Sequence, residues 1–139
     1  MWAYEIIANE WNVNVPGFNF GIALEVATVV HELGQLPIEW AYKGINGNLF
    51  ANNVSTPFGR PVGNVGDRIL LKYDGSAGTL SFYTKLVGEE TWTLEGERVA
   101  FTDIDPPEGP EGKQIWPITS VACFGLCTLK LIPPGPDAP

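Results

Sequence analysis

Residues 65–83 read VGDRILLKYDGSAGTLSFY. Two strand-like runs, Arg68-Ile69-Leu70-Leu71-Lys72-Tyr73 and Thr79-Leu80-Ser81-Phe82-Tyr83, flank a polar, glycine-containing turn at 74–78, which predicts a β-hairpin. Side chains alternate between the two faces of a strand, so Leu80 and Phe82 are expected in the core and Tyr83 on the opposite face. Gly66 permits a tight turn ahead of the first run, and Asp67 can accept backbone N–H bonds where the strand begins.

The same grammar extends outward in both directions. Strands are expected at 2–8, 19–27, 38–42 and 48–51, the last two joined through Asn46-Gly47, a strong hairpin dipeptide. Ile22, Val26, Val29, Val30 and Leu33 have helical spacing, but β-branched residues dominate that stretch, so 28–36 is expected as loop. Further strands are expected at 92–94 and 98–101 about Glu95-Gly96, and at 115–122 and 127–132. DPPEGPEGK (105–113) is too rich in Pro and Gly to join a ladder and is expected as an exposed loop. Pro117 marks a sheet edge or bulge. About ten short strands joined by polar turns make an all-β sandwich. Trp40, Phe50, Phe101 and Trp116 are the expected large core pieces beside Leu80 and Phe82, while Trp92 has no obvious place.

At 139 residues the chain is of single-domain length and can bury a core without a staple. Its formal charge is −8, and none of its eight basic residues adjoins another. Nucleic acid and anionic membrane both need clustered cations, so neither is an expected partner. No apolar run approaches the roughly 20 residues of a membrane-spanning helix. The start, MWAYEIIANEW, lacks a basic n-region and is interrupted by Glu5 and Glu10, unlike a signal peptide. Cys123 and Cys127, the only cysteines, could face each other across a hairpin; two free, half-buried thiols are the favoured reading, which points to a cytoplasmic or nuclear protein. With His31 as the only histidine, the pair cannot complete a zinc site, and no cofactor is expected.

The landmarks appear in a particular order: NFGIAL, IEWAYKGINGNLFANN, TPFGRPV, VGDRILLKYDGSAGTLSFY, VAFTDI, IWPITSV and GLCTLKLI. This order resembles the SPRY domain, the core of the B30.2 family, over most of residues 2–132. The resemblance implies a bent antiparallel β-sandwich of two sheets, a concanavalin-like jelly roll, over residues 1–132; the Pro-rich composition of 133–139 (PPGPDAP) makes it an expected disordered tail or linker. Two departures stand out. The chain starts where full B30.2 domains already have an extension behind them, so either the domain is minimal or a sheet edge is left for another segment to fill, or for self-association. Between Tyr83 and Val99, a longer acidic stretch replaces the family's short turn. The abrupt start and proline-rich end are those expected of an excised domain.

The family implies a non-catalytic protein-interaction module whose loops, at one end of a rigid sandwich, recognise a short segment of a partner protein. In many members it selects targets for a ubiquitin ligase, and in others it serves innate immune recognition; a ligase-recruiting element would belong to other parts of a larger protein. The corresponding loops are 11–18, 28–36, 53–63 and 122–126. Phe124-Gly125, beside Cys123, matches the family's aromatic-Gly turn, and Phe124 is either a binding anchor or packed over the neighbouring turn. Arg60 either pairs with a partner carboxylate or is a solvated loop charge. His31 either contacts ligand or is an idle surface histidine. Trp11 and Phe18 either line the same surface or cap the core.

Catalysis has little to work with. Glu89-Glu90, Glu95 and Glu97 supply carboxylates but read as solvated surface, and no G-x-S-x-G elbow accompanies His31. The alternative is a lectin-like carbohydrate-binding module, in which Trp11 with Asn12 and Asn14 would stack and hydrogen-bond a sugar.

Overall fold

The computed structural model describes residues 1–10, 17–25, 31–110, 112–123 and 125–139, with Lys113 described by its backbone alone. Its strands are β1 (Trp2–Asn9), β2 (Gly17–Ala23), β3 (Glu39–Lys43), β4 (Leu49–Ala51), β5 (Val54–Thr56), β6 (Arg68–Asp74), β7 (Thr79–Lys85), β8 (Thr93–Leu94), β9 (Glu108–Gly109), β10 (Gly112–Lys113), β11 (Trp116–Ala122) and β12 (Cys127–Ile132). Two five-stranded antiparallel sheets result, ordered β12-β1-β6-β7-β8 and β11-β2-β3-β4-β5, which we call sheets A and B. The all-β sandwich is therefore observed.

Alternation builds the core as expected. Tyr4 and Ile6 on β1, Ile69 and Leu71 on β6, and Leu80 and Phe82 on β7 face Phe18, Phe20, Ile22 and Tyr42 of sheet B. Leu80 and Phe82 are fully buried, whereas Tyr83, on the other face, is half-buried. A smaller cluster, Leu33, Ala41 and Phe50 with Ile118 packed against it, covers the outer face of sheet B. Phe50 is thus buried on the face opposite the main core. Trp40 and Phe101 pack partly buried against the main core.

Asp67 accepts from the backbone N–H groups of Gly63, Asn64 and Val87, tying two loops to the start of β6. Pro117 lies on β11, an edge strand that needs no donor on its open side.

Several expectations are corrected. β2 begins at Gly17 and ends at Ala23, so it starts earlier and stops sooner than 19–27. Trp116 is 47% exposed, because the first residue of an edge strand points from the outer face of sheet B. Glu108–Gly109 and Gly112–Lys113 do form a ladder, a two-residue ribbon of β9 with β10, since an isolated pair places few demands on flanking Pro and Gly. β5, unanticipated within 53–63, is a fully exposed edge strand. In place of a strand at 98–101, a 3-10 turn at Glu95–Glu97 leads to a single bridge between Phe101 and Leu80.

Candidate functional site

Strand registers gather one set of connections at a common end of the sandwich. Asn9 pairs with Cys127, Ala122 with Gly17, and Arg68 with Lys85, so the segments next to them all emerge there. The connection from β11 to β12 carries the chain from sheet B to sheet A at this end. Cys123 and Cys127 are joined in a disulfide across it, with Cα atoms 6.4 Å apart. This corrects the expectation of free thiols: the crossing returns the chain within six residues, and the two Cα atoms fall inside the range a disulfide bridges. The cytoplasmic or nuclear expectation rested on those thiols, and the bridge removes that support. Gly125, at φ 114°, takes a backbone shape that side-chain-bearing residues resist. Glu10 fixes the turn twice: its N–H donates to the Leu126 carbonyl, and its carboxylate accepts from the Leu126 N–H.

Beside this turn, a cleft of about 350 Å³ lies between the 31–36 loop and the end of β11, lined by Gly17, His31, Gln35, Ser120, Val121 and Ala122 among others. The loop is held rigidly over the outer face of sheet B. Glu39, 2% exposed, accepts from the N–H groups of Gly34 and Leu36 with one carboxylate oxygen, and its other oxygen lies 2.6 Å from His31 Nε2. Asn19 donates to Glu32 and to the Leu33 carbonyl, and Leu33 N–H donates to Ser120 Oγ. His31 is therefore a structural partner of Glu39 as well as a lining residue, and not an idle surface group. A second, smaller cleft of about 180 Å³ shares Gly17 and is walled by Asn9, Pro61 and Val62.

Arg60 sits at the same end but is not available to a partner in the way expected. Its guanidinium is 2.9 Å from Glu95 and 2.9 Å from Glu89, and it donates to Thr84 Oγ1 at 2.7 Å. Its backbone N–H also donates to Glu95. The Tyr42 hydroxyl donates to the Arg60 carbonyl and the Thr84 hydroxyl to Glu95. The bond to Glu89 is the main cause holding the Arg60 guanidinium above its ordinary range, and that same bond holds the Glu89 carboxyl below its own. Burial, with the nearby Glu95 charge, pushes the Tyr42 phenol well up. The acidic 84–98 stretch is thus partly a clamp for this arginine.

Of its two expected places, Phe18 takes the core. It is 2% exposed, because from Gly17 onward it shares the inward face with Phe20, whose ring centroid is 6.2 Å away, and it also lines the second cleft. Trp11, Asn12, Asn14 and Phe124 lie outside the described residues. The structure brings His31 to a cleft that Ala122, the residue before Cys123, also lines, and leaves Phe18 at the second cleft and Arg60 apart from the first. Sequence reasoning missed Gln35, Ser120 and Val121, which have no signal beyond their place in a loop or strand end. It also missed Glu39, whose signal was a carboxylate inside an apolar strand, IEWAY. Among the described residues, no group of three or more His, Cys, Asp or Glu is arranged to hold a metal ion.

No protein-family model matches the sequence, and no curated protein matches it. Solved structures do. The SPRY domain of human HERC1 superposes with a TM-score of 0.61 at 23% identity, over 94% of this chain and 71% of that one. The fold is that of SPRY domains. Another human SPRY domain gives 0.62 at 19% identity, covering 94% of this chain and 73% of its own. At such identities the shared property is the SPRY fold itself.

Proposed function

We propose that the chain is a non-catalytic protein-interaction module that takes a short segment of a partner protein at the loop end of its SPRY-fold sandwich. The observation that carries this is the cleft between the 31–36 loop and the end of β11. It is of ligand-binding size, its walls are pre-organised by Glu39, Asn19 and Ser120, and the disulfide-closed 123–126 turn begins at its rim. The groups a hydrolase would need are otherwise engaged: His31 with Glu39, and Glu89 and Glu95 with Arg60. A recognition role of this kind suits one part of a larger assembly, such as a ubiquitin ligase or an innate immune protein, in which catalysis belongs to other domains.

The test sets a displayed-peptide library against a glycan array on the same purified protein. Enrichment of related peptides is expected, with binding weakened by Val121→Asp and by Phe124→Ala at unchanged melting temperature. Glycan signals without peptide enrichment would replace this reading with the lectin one.

A further inference from the structure

The outer face of sheet A is occupied in a way the proposed loop-end site does not explain. Register aligns Ile132, Ala3, Leu70 and Tyr83 in one row across β12, β1, β6 and β7, and Lys130, Glu5, Arg68 and Lys85 in a neighbouring row. Both rows face away from the core. Even so, Ala3 and Leu70 are completely shielded, and Ser81 on the same face is 9% exposed. Residues 133–139 lie on this face. They leave the last residue of β12, and the Asp137 carboxylate reaches Lys85 Nζ on β7 at 2.9 Å. Three strand spacings separate those points, roughly 14 Å, so the segment passes β1 and β6, and it carries a turn in which Gly135 is at φ 88° and the Ala138 N–H donates to the Gly135 carbonyl. Pro134 and Ala138 are half-buried along it.

The face suits what lies on it. Four of the chain's eight Lys and Arg residues (Arg68, Lys72, Lys85 and Lys130) project from it, in a protein of formal charge −8. Arg68 pairs with Glu5 of the same face at 2.7 Å, and Asp74 stands two residues from Lys72 on it. Lys85 lies 5.9 Å over the Trp92 ring, and the buried Trp92 Nε1 has no hydrogen-bond partner. A cationic face with an apolar centre, flanked by Tyr83 and Trp92, is the surface chemistry that receives proline-rich segments, whose restricted backbone lowers the entropy lost on docking.

We propose that the outer face of sheet A is a second docking surface, for a proline-rich segment bearing a carboxylate, and that residues 133–139 are its resident occupant. A partner segment of the same chemistry must displace them, so its apparent affinity is reduced by the fraction of time the face is covered. Releasing the resident segment raises that affinity.

The test uses the full chain and a fluorescein-labelled peptide, IPPGPDAP, read by fluorescence anisotropy. Asp137→Ala is expected to bind the peptide about tenfold more tightly than the unaltered chain, as uncovering a mostly covered face requires. In the Asp137→Ala background, Lys85→Glu should abolish binding of this peptide and confer binding of one with lysine at the position of Asp137. Val121→Asp, at the loop-end cleft, should leave these results unchanged, which keeps this surface distinct from the proposed function. Equal binding to the unaltered and Asp137→Ala chains, no binding to either, or indifference to Lys85→Glu would each overturn the proposal.

Discussion

Arg60 Nε lies 2.9 Å from Glu95 Oε1, across 35 residues of sequence, and Glu95 is almost fully buried. This contact pins the 57–63 loop to the turn that follows β8. Removing the cation would leave a buried carboxylate uncompensated. Arg60→Ala is therefore expected to destabilise by about 2 kcal/mol, less than the ~3–5 kcal/mol of a wholly buried pair, because the Arg60 side chain is 37% exposed. Chemical denaturation measures it, and an unchanged midpoint would return Arg60 to the status of a solvated loop charge.

Acid should weaken the same clamp. The Glu89 carboxyl is held below its ordinary value chiefly by the Arg60 hydrogen bond. A carboxylate with a depressed native pKa contributes stability above its unfolded value and loses it as pH falls through the depressed one. The unaltered protein should thus lose stability below about pH 4, where free glutamate protonates. Glu89→Gln should flatten that part of a melting temperature against pH curve, and a curve of unchanged slope would contradict the assignment.

Leu80 and Phe82 have no exposed surface and sit at the centre of the main core. Alanine at either should cost about 2–5 kcal/mol, from lost burial and the cavity left behind. A cost within error would mean that β7 is assigned the wrong facing.

Gly21 makes a test of a different kind. A Cβ there would stand 2.0 Å from the Trp40 carbonyl oxygen of the neighbouring strand, and backbone cannot yield as a side chain can. Gly21→Ala should cost about 1–3 kcal/mol by overpacking, although alanine is intrinsically no worse in a strand. Stability equal to that of the unaltered chain would show that β2 and β3 are not so closely apposed.

The disulfide closes a short loop, which in the chain-entropy account stabilises by about 2 kcal/mol. Reductant should lower the denaturation midpoint accordingly, and leave a Cys123→Ser, Cys127→Ser double variant unaffected. Alkylation of both cysteines in the native, unreduced protein would refute the bridge.

Legibility follows the range of the forces involved. The facing of Leu80 and Phe82, the turn role of Asp67 and the edge position of Pro117 rest on local periodicity and local backbone chemistry, and all were legible. The sequence left Phe18 between the loop surface and the core, because its place depends on where β2 begins, and that is set by pairing Gly17 with Ala122, more than a hundred residues away. Trp92 had no place in a linear reading, since its partner Lys85 comes to it only when β8 folds back beside β7. The clamp on Arg60 was invisible for a similar reason: a lone loop arginine and an acidic stretch become one group only when the loops converge.

By itself, then, the sequence determined the class of fold and most of the core, because alternation of apolar side chains and glycine-bearing turns act within a few residues. Only the tertiary structure decided which polar groups meet: His31 with Glu39, Arg60 with Glu95, and the proline-rich end with Lys85. Hydrogen bonds and ion pairs act over a few ångströms and carry no signature in the spacing of residues along the chain, so their partners appear only once the two sheets have closed on each other.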